Sequence, residues 1–269
     1  MKHAAKRVKL VKRLTRTWVT VAGAFVLSLL AFGFILLIPF LTARLAPENI
    51  PEEVMGERGA QRSAWLVFHE GDTLTGFVKV TTDTRKAVVT VVGYPPQCEI
   101  IDGVTTTTAA KLYADRGERV VQAIEELPMI SLPVGGAVSL IGRISGNLPF
   151  ILPQAVGTLP EGALTLTPLQ VAAVLRFDGW ERGGVGQAWA HAELICAFLN
   201  RGLTPSCDIQ DAFGSLTAVC DNALHISQFE AVRDDLSRLA DANEGSMCIA
   251  QVAAGYMTGY GENQRYVLS

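Results

Sequence analysis

The residues of this chain that could do chemistry are few and scattered. Four histidines (His3, His69, His191, His225) stand apart from one another, and no HExxH pair sets two imidazoles one helical turn apart, as a metal helix does. Five cysteines (Cys98, Cys196, Cys207, Cys220, Cys248) include no CxxC spacing, which argues against zinc. Cys196 lies in an apolar helical run and reads as core. Cys207 and Cys220 could pair, but spacing alone fixes no connectivity, and an odd count leaves at least one thiol over in an oxidising place. Gly142-Arg143-Ile144-Ser145-Gly146 misplaces the serine for a GxSxG nucleophile elbow and sits in an amphipathic helical pattern. Gly183, Gly184 and Gly186 match neither a dinucleotide fingerprint nor a P-loop, which would need a lysine nearby. No standard motif assigns an enzyme class.

The elements that would position any site begin with the first 43 residues. Seven lysines and arginines (Lys2, Lys6, Arg7, Lys9, Lys12, Arg13, Arg16) precede an uncharged run over residues 18–43. A membrane-spanning helix needs about 20 apolar residues, and basic flanks stay on the cytoplasmic side. The expected topology is a cytoplasmic basic arm (1–17), a transmembrane helix (18–43), a polar stalk with two prolines (44–63) and an extracytoplasmic domain (64–269). A cleaved signal peptide would have a shorter apolar core, and its best cut would leave Arg44 at an unfavourable position. Seven of the 23 basic residues lie before Trp18 and none of the 26 acidic ones does, so the remainder carries 16 against 26, a net −10. A domain so charged has no footprint for nucleic acid. The basic arm suits anionic lipid of the inner leaflet.

Within the outer domain, β-branched runs at 74–80 and 87–92 flank the short polar stretch TTDTRK and predict a hairpin. The second run lacks strict alternation, as a strand covered on both faces does. Apolar spacing predicts helices over 116–127 and 137–145, and Pro149 and Pro153 bracket a short strand. Thr167-Pro168 supplies an N-cap and a first-turn proline for a helix to about Phe177. A glycine-rich loop over 179–186 leads into a helix over 187–199. Ser227 to Glu230 reads as a capping box, and strands are expected at 248–253 and 266–268. Strands with helices on both sides imply an α/β class, a three-layer α/β/α domain with a central mixed sheet.

Four segments carry a resemblance. Gly71-Asp72-Thr73 opens the hairpin, and Val92-Gly93-Tyr94-Pro95-Pro96-Gln97 follows it. Gly136 through Pro153 forms a helix-plus-strand unit, and Leu166-Thr167-Pro168-Leu169-Gln170-Val171-Ala172-Ala173-Val174-Leu175-Arg176 precedes the glycine-rich loop. In this order they resemble the LytR-CpsA-Psr family of Gram-positive bacteria, over roughly residue 65 to the end. Active members of that family move a phosphate-linked glycopolymer from a polyprenyl-pyrophosphate carrier onto the cell wall. The resemblance implies a lipid pocket, a magnesium-holding role for Asp72 and a phosphate contact for Arg176. It names no confident catalytic residue.

The departures from the family pattern are chemical. Where the family has Pro-Arg-Asp, this chain has Pro95-Pro96-Gln97. Arg-x-Arg becomes Arg176-Phe177-Asp178, and both arginines of the next helix start are replaced, by Gln187 and Ala190. Charge-assisted hydrogen bonds contribute about 1.5–3 kcal/mol each, so a diphosphate site lacking several is weakened by powers of ten. Arg143, Arg182 and His191 are the remaining cations that could compensate. The resemblance therefore implies a degenerate, lipid-binding or accessory protein of the envelope that is not an enzyme, with membrane lipid, a polyprenyl-phosphate-linked glycan or envelope proteins as partners. The first alternative is an active, Mg²⁺-dependent glycopolymer phosphotransferase. The second is an unrelated extracytoplasmic binding module.

Overall fold

Ten of the first strand's residues come from a segment that straddles the expected stalk boundary. The structure, a computed structural model, describes residues 61–202, 209–221, 226–242, 247–259 and 264–269. The basic arm, the membrane helix and stalk residues 44–60 lie outside the described residues, and among the described residues no helix is long and apolar enough to cross a membrane. Gln61, Arg62 and Ser63 belong to β1 (Gln61–Glu70), whose apolar stretch Trp65-Leu66-Val67-Phe68 holds the polar start in register.

The hairpin expected from the β-branched runs is present as β2 (Thr73–Asp83) and β3 (Val88–Tyr94), antiparallel to each other, with β1 antiparallel on the other side of β2. A small hairpin, β4 (Glu99–Asp102) and β5 (Thr105–Thr108), leads into α1 (Ala109–Arg116). Here the structure corrects the sequence reading. The helix predicted over 116–127 ends before it begins, because Gly117 adopts a left-handed φ of 62° at the cap of α1. A tight 3₁₀ segment (Gly117–Ala123) follows it and still buries Val120 and Val121.

Next come β6 (Met129–Pro133), α2 (Val134–Ile144), β7 (Leu148–Leu152) and its partner β8 (Gly162–Leu166). α3 (Pro168–Arg176) starts as expected: Thr167 accepts from the Gln170 backbone N–H, and the Gln170 side chain reaches back to the Thr167 N–H. α4 (Gly183–Gly202) starts four residues before the expected Gln187, so the second half of the glycine-rich loop is helical. α5 (Ile209–Thr217) was not foreseen. α6 (Ile226–Ala242) begins one residue before Ser227, which is therefore inside the helix rather than its cap. β9 (Cys248–Val252), β10 (Gly255–Thr258) and β11 (Arg265–Leu268) complete the described chain.

The main sheet has the order β6-β1-β2-β3-β9 and is mixed: β6 is parallel to β1, and β9 is parallel to β3. Alternation along the strands divides it into two faces. Phe68, Val78, Val89 and Val91 pack under α2, α3, α4 and α6. Trp65, Val67 and Phe77 pack under α1 and the 3₁₀ segment. The α/β/α layering is therefore unequal, with a thick helical layer on one face and a thin one on the other. β1, β3, β6 and β9 all run the same way, so their carboxyl ends lie together at one end of the sheet with the β1–β2 turn.

Candidate functional site

The carboxyl end of an open α/β sheet is where ligands commonly bind, and both residues singled out for chemistry are found there. Asp72 occupies the two-residue turn between paired Glu70 and Thr73, beside Gly71 at a φ of 57°. A hairpin turn with glycine first needs that φ. Asp72 is exposed and serves the turn whatever else it does.

Arg176 is the last residue of α3. Its Nε donates to Glu70 Oε2 at 2.8 Å, and a terminal nitrogen donates to Glu70 Oε1 at 2.8 Å. This is the planar two-bond geometry that guanidinium groups form with carboxylates. The arginine holds the Glu70 carboxyl below the ordinary carboxylate range, and the carboxylate in turn pushes the Arg176 pKa up. Both side chains are about half exposed, at 47% and 54%, so the pair is well formed but solvated. Glu70 escaped the sequence reading because it lies 106 residues from its partner. No local pattern joins them.

A bulge shapes the next part of the rim. Phe68 faces Gly76 and His69 faces Leu74, which leaves Thr75 extra on β2. The freed Thr75 carbonyl accepts a 2.8 Å hydrogen bond from Gln187 Nε2. Gln187 is buried and Ala190 wholly so. Gln97 sits against the first turn of α4, where a Cβ added at Gly184 would overlap its side-chain oxygen. Pro96 is buried, and its carbonyl accepts the Ala110 N–H at 2.9 Å. Of the positions at which this chain departs from the charged pattern, Pro96, Gln97, Gln187 and Ala190 hold neutral groups, with Gln187 bonded to the protein itself and Gln97 Oε1 buried without a partner.

Of the three cations named as substitutes, two are exposed and one is buried. Arg143 is exposed on the last turn of α2, and Arg182 is exposed just before α4. His191 is 1% exposed. Its Nε2 lies 3.2 Å from the Leu175 carbonyl, and its ring meets Phe68 edge-on at 5.9 Å. Burial pushes its pKa down to about 4, with the Leu175 bond opposing in part. It is neutral at pH 7 and supplies no charge. The signal that could have revealed this is Gly76, whose missing Cβ makes room for the imidazole. His69, also buried, has Nε2 3.3 Å from Asp221 Oδ2 without the alignment of a hydrogen bond.

Magnesium is usually held by one or two carboxylates together with substrate phosphates. Glu70 is closed on Arg176, and among the described residues no three His, Cys, Asp or Glu side chains converge. Asp72 alone on an exposed turn does not make a fitting donor set.

Beneath the rim lies an apolar cavity of about 160 Å³, between the sheet and α2, α3, α4, α5 and α6. Leu66, Ile130, Leu140, Leu194, Phe198 and Leu236 are representative of its lining, which is hydrocarbon throughout. A cavity of about 150 Å³ with such walls stays dry and admits a benzene ring. This one fits a short length of hydrocarbon.

No protein-family model and no curated protein sequence matches the chain. Solved structures do. A transcriptional regulator from Enterococcus faecalis superposes with a TM-score of 0.62 at 16% identity, over 78% of this chain and 82% of that one. A putative transcription regulator from Eubacterium siraeum gives 0.64 at 14%, over 78% and 86%. TagV of Bacillus subtilis gives 0.60 at 14%, over 77% and 90%. At such identities the likeness shows a shared fold and nothing finer.

Proposed function

We propose that this chain is a divergent LytR-CpsA-Psr protein that admits part of an apolar chain into its cavity and does not transfer phosphate. It acts as an accessory or lipid-binding component at the outer face of the cell membrane. The shared fold with TagV and the ordered sequence segments support a role in assembling cell-wall glycopolymers. The observation that carries the rest is the closure of Arg176 on Glu70. A diphosphate needs several donors converging on its oxygens. The Arg176 guanidinium is already paired with Glu70, with Asp178 two residues away and Asp72 on the adjoining turn.

The mechanism that follows is binding without reaction. An apolar chain entering the cavity would gain about 25 cal/mol for each Å² of surface removed from water. A long polyprenyl group exceeds a 160 Å³ space, so deep binding would require α5 and α6 to part from the sheet. Gln187 could donate a neutral hydrogen bond to a headgroup only by giving up the Thr75 carbonyl.

The test uses the full chain in detergent with a polyprenyl-pyrophosphate-linked glycan and Mg²⁺. The expected result is saturable binding of the lipid, competed by polyprenyl monophosphate, with no release of the glycan phosphate. One observation favours a second reading: Asp72 and Arg176 share the sheet end where the family's charged positions map. Turnover that disappears in Asp72→Ala and in Arg176→Ala would establish the phosphotransferase and sink the first reading.

A further inference from the structure

Cys196 and Cys248 are 52 residues apart in sequence and adjacent in space. Cys196 is buried on α4, and Cys248 is the half-buried first residue of β9. Their sulfurs are 2.6 Å apart. Thiol contacts elsewhere in the molecule are much longer: Cys98 Sγ to the Glu99 carbonyl is 3.9 Å, and Cys220 Sγ to the Thr217 carbonyl is 3.5 Å. A disulfide bond measures about 2.05 Å. The Cys196–Cys248 separation is nearer to bonding than to a thiol hydrogen bond.

The neighbourhood fixes this approach from both sides. One turn further along α4, Asn200 Oδ1 accepts the Met247 N–H at 3.1 Å and the Cys248 N–H at 3.0 Å. β9 is held in turn by its parallel pairing with β3, from Val89↔Cys248 onward. The clamp therefore holds the two backbones at this spacing. The Cys196 contact and burial together push the Cys248 pKa up, so its thiolate is disfavoured once the two sulfurs are packed together, and the time for a covalent bond to form is during folding.

We infer that Cys196 and Cys248 form a disulfide that staples α4 to β9. The bond closes the neck of the segment between them, which carries α5 and α6 and hence one wall of the apolar cavity. Formation needs a disulfide oxidant, either a small-molecule disulfide or a protein disulfide. During folding, before the two sulfurs are buried together, the thiolate of Cys248 attacks one sulfur of the oxidant and expels the first reduced thiol. Cys196 sulfur then attacks the mixed disulfide and expels the second. Two protein thiols lose two protons and two electrons, and one disulfide oxidant becomes two thiols.

The experiment synthesises the full chain with a couple of oxidised and reduced glutathione present during folding. Free thiols are then alkylated and the protein digested with trypsin without reductant. The lysines and arginines place Cys196 in the peptide 183–201, Cys207 and Cys220 in 202–233, and Cys248 in 239–265. The expected species is 183–201 linked to 239–265, resolved into two on reduction. Separate alkylated peptides, or Cys248 linked to 202–233, would overturn the inference. A second readout needs no variant: reduction should lower Tm by on the order of 10 °C, as expected for opening a loop of this length. An unchanged Tm on reduction counts against the staple. Cys98→Ala, outside the neck, should keep the linked species.

Discussion

The wall of the cavity and its rim follow different rules. The wall is built from many interchangeable apolar side chains drawn from the sheet and five helices, and it presents hydrocarbon throughout. The rim is built from a few polar side chains, of which Arg176 and Gln187 are committed to partners within the protein. Arg176 holds Glu70, and Gln187 holds the Thr75 carbonyl. A reactive site keeps such groups in reserve for its substrate. This rim uses them as structure, which is why binding outlives chemistry in the proposed function. The contrast can be attacked from either side.

The sharpest attack is Gly76→Ala. A methyl at this position would overlap the His191 ring at Nδ1 and Cε1. If His191 were a swinging rim cation, it would move aside at little cost. As a fixed part of the core it cannot, and overpacking of this kind costs about 1–3 kcal/mol, with this overlap at the upper end. Urea unfolding of the full chain should show a lowered midpoint with an unchanged slope. His191→Ala in the Gly76→Ala background should recover part of the loss.

The same histidine gives the next largest effect through pH. An unfolded histidine titrates near 6.5, and His191 in the fold titrates at about 4. As pH falls below 6.5, the unfolded chain takes up a proton that the folded chain refuses. Stability therefore falls over this window and levels off below about 4; above 6.5 the group contributes no slope. The full loss is about 3 kcal/mol. Measured stability curves for wild type and His191→Gln should converge in shape above pH 6.5 and diverge below it. Identical acid limbs would return His191 to the rim.

Filling the wall tests the other region. Ala137 is 2% exposed and lines the cavity. Ala137→Leu should leave the fold intact, because the added methylenes enter empty space, and should weaken uptake of a small apolar probe about tenfold, equivalent to about 1.4 kcal/mol. Calorimetric titration with a short-chain polyprenol checks this. Undiminished binding would place the ligand outside the cavity.

These tests also mark what was legible in the sequence. The wall was: amphipathic spacing found α2, Thr167-Pro168 found the start of α3, and β-branched runs found β2 and β3. Periodicity reports burial, and burial makes a wall. The reading failed where one residue overruled the period, as Gly117 did by capping α1 and leaving only a 3₁₀ turn where a helix was expected. It failed again at Gly183, where packing of α4 against Gln97 and Pro95 made glycines helical. The rim was half legible. Asp72 and Arg176 could be named, and they do meet at one end of the sheet. Their partners could not, since Glu70 and Arg176 are joined only by the fold, and the free Thr75 carbonyl exists only because of a bulge.

The smallest expected effect bears most directly on chemistry. Arg176 and Glu70 are both solvated, and exposed ion pairs add little to stability even in good geometry. Arg176→Ala should therefore leave Tm within about 2 °C of wild type. Any contribution of the pair exists above the carboxylate range and fades as pH falls through the lowered Glu70 pKa. Glu70→Ala is the informative partner. It leaves the guanidinium unpaired at the sheet end without touching the wall, so the rim gains a free cation. If closure on Glu70 is what silences the site, binding of inorganic pyrophosphate should become detectable in Glu70→Ala by titration calorimetry and vanish again in the Glu70→Ala, Arg176→Ala double variant. Pyrophosphate binding of equal strength in wild type would mean that the salt bridge opens readily, and the rim would then be as available to a ligand as the cavity beneath it.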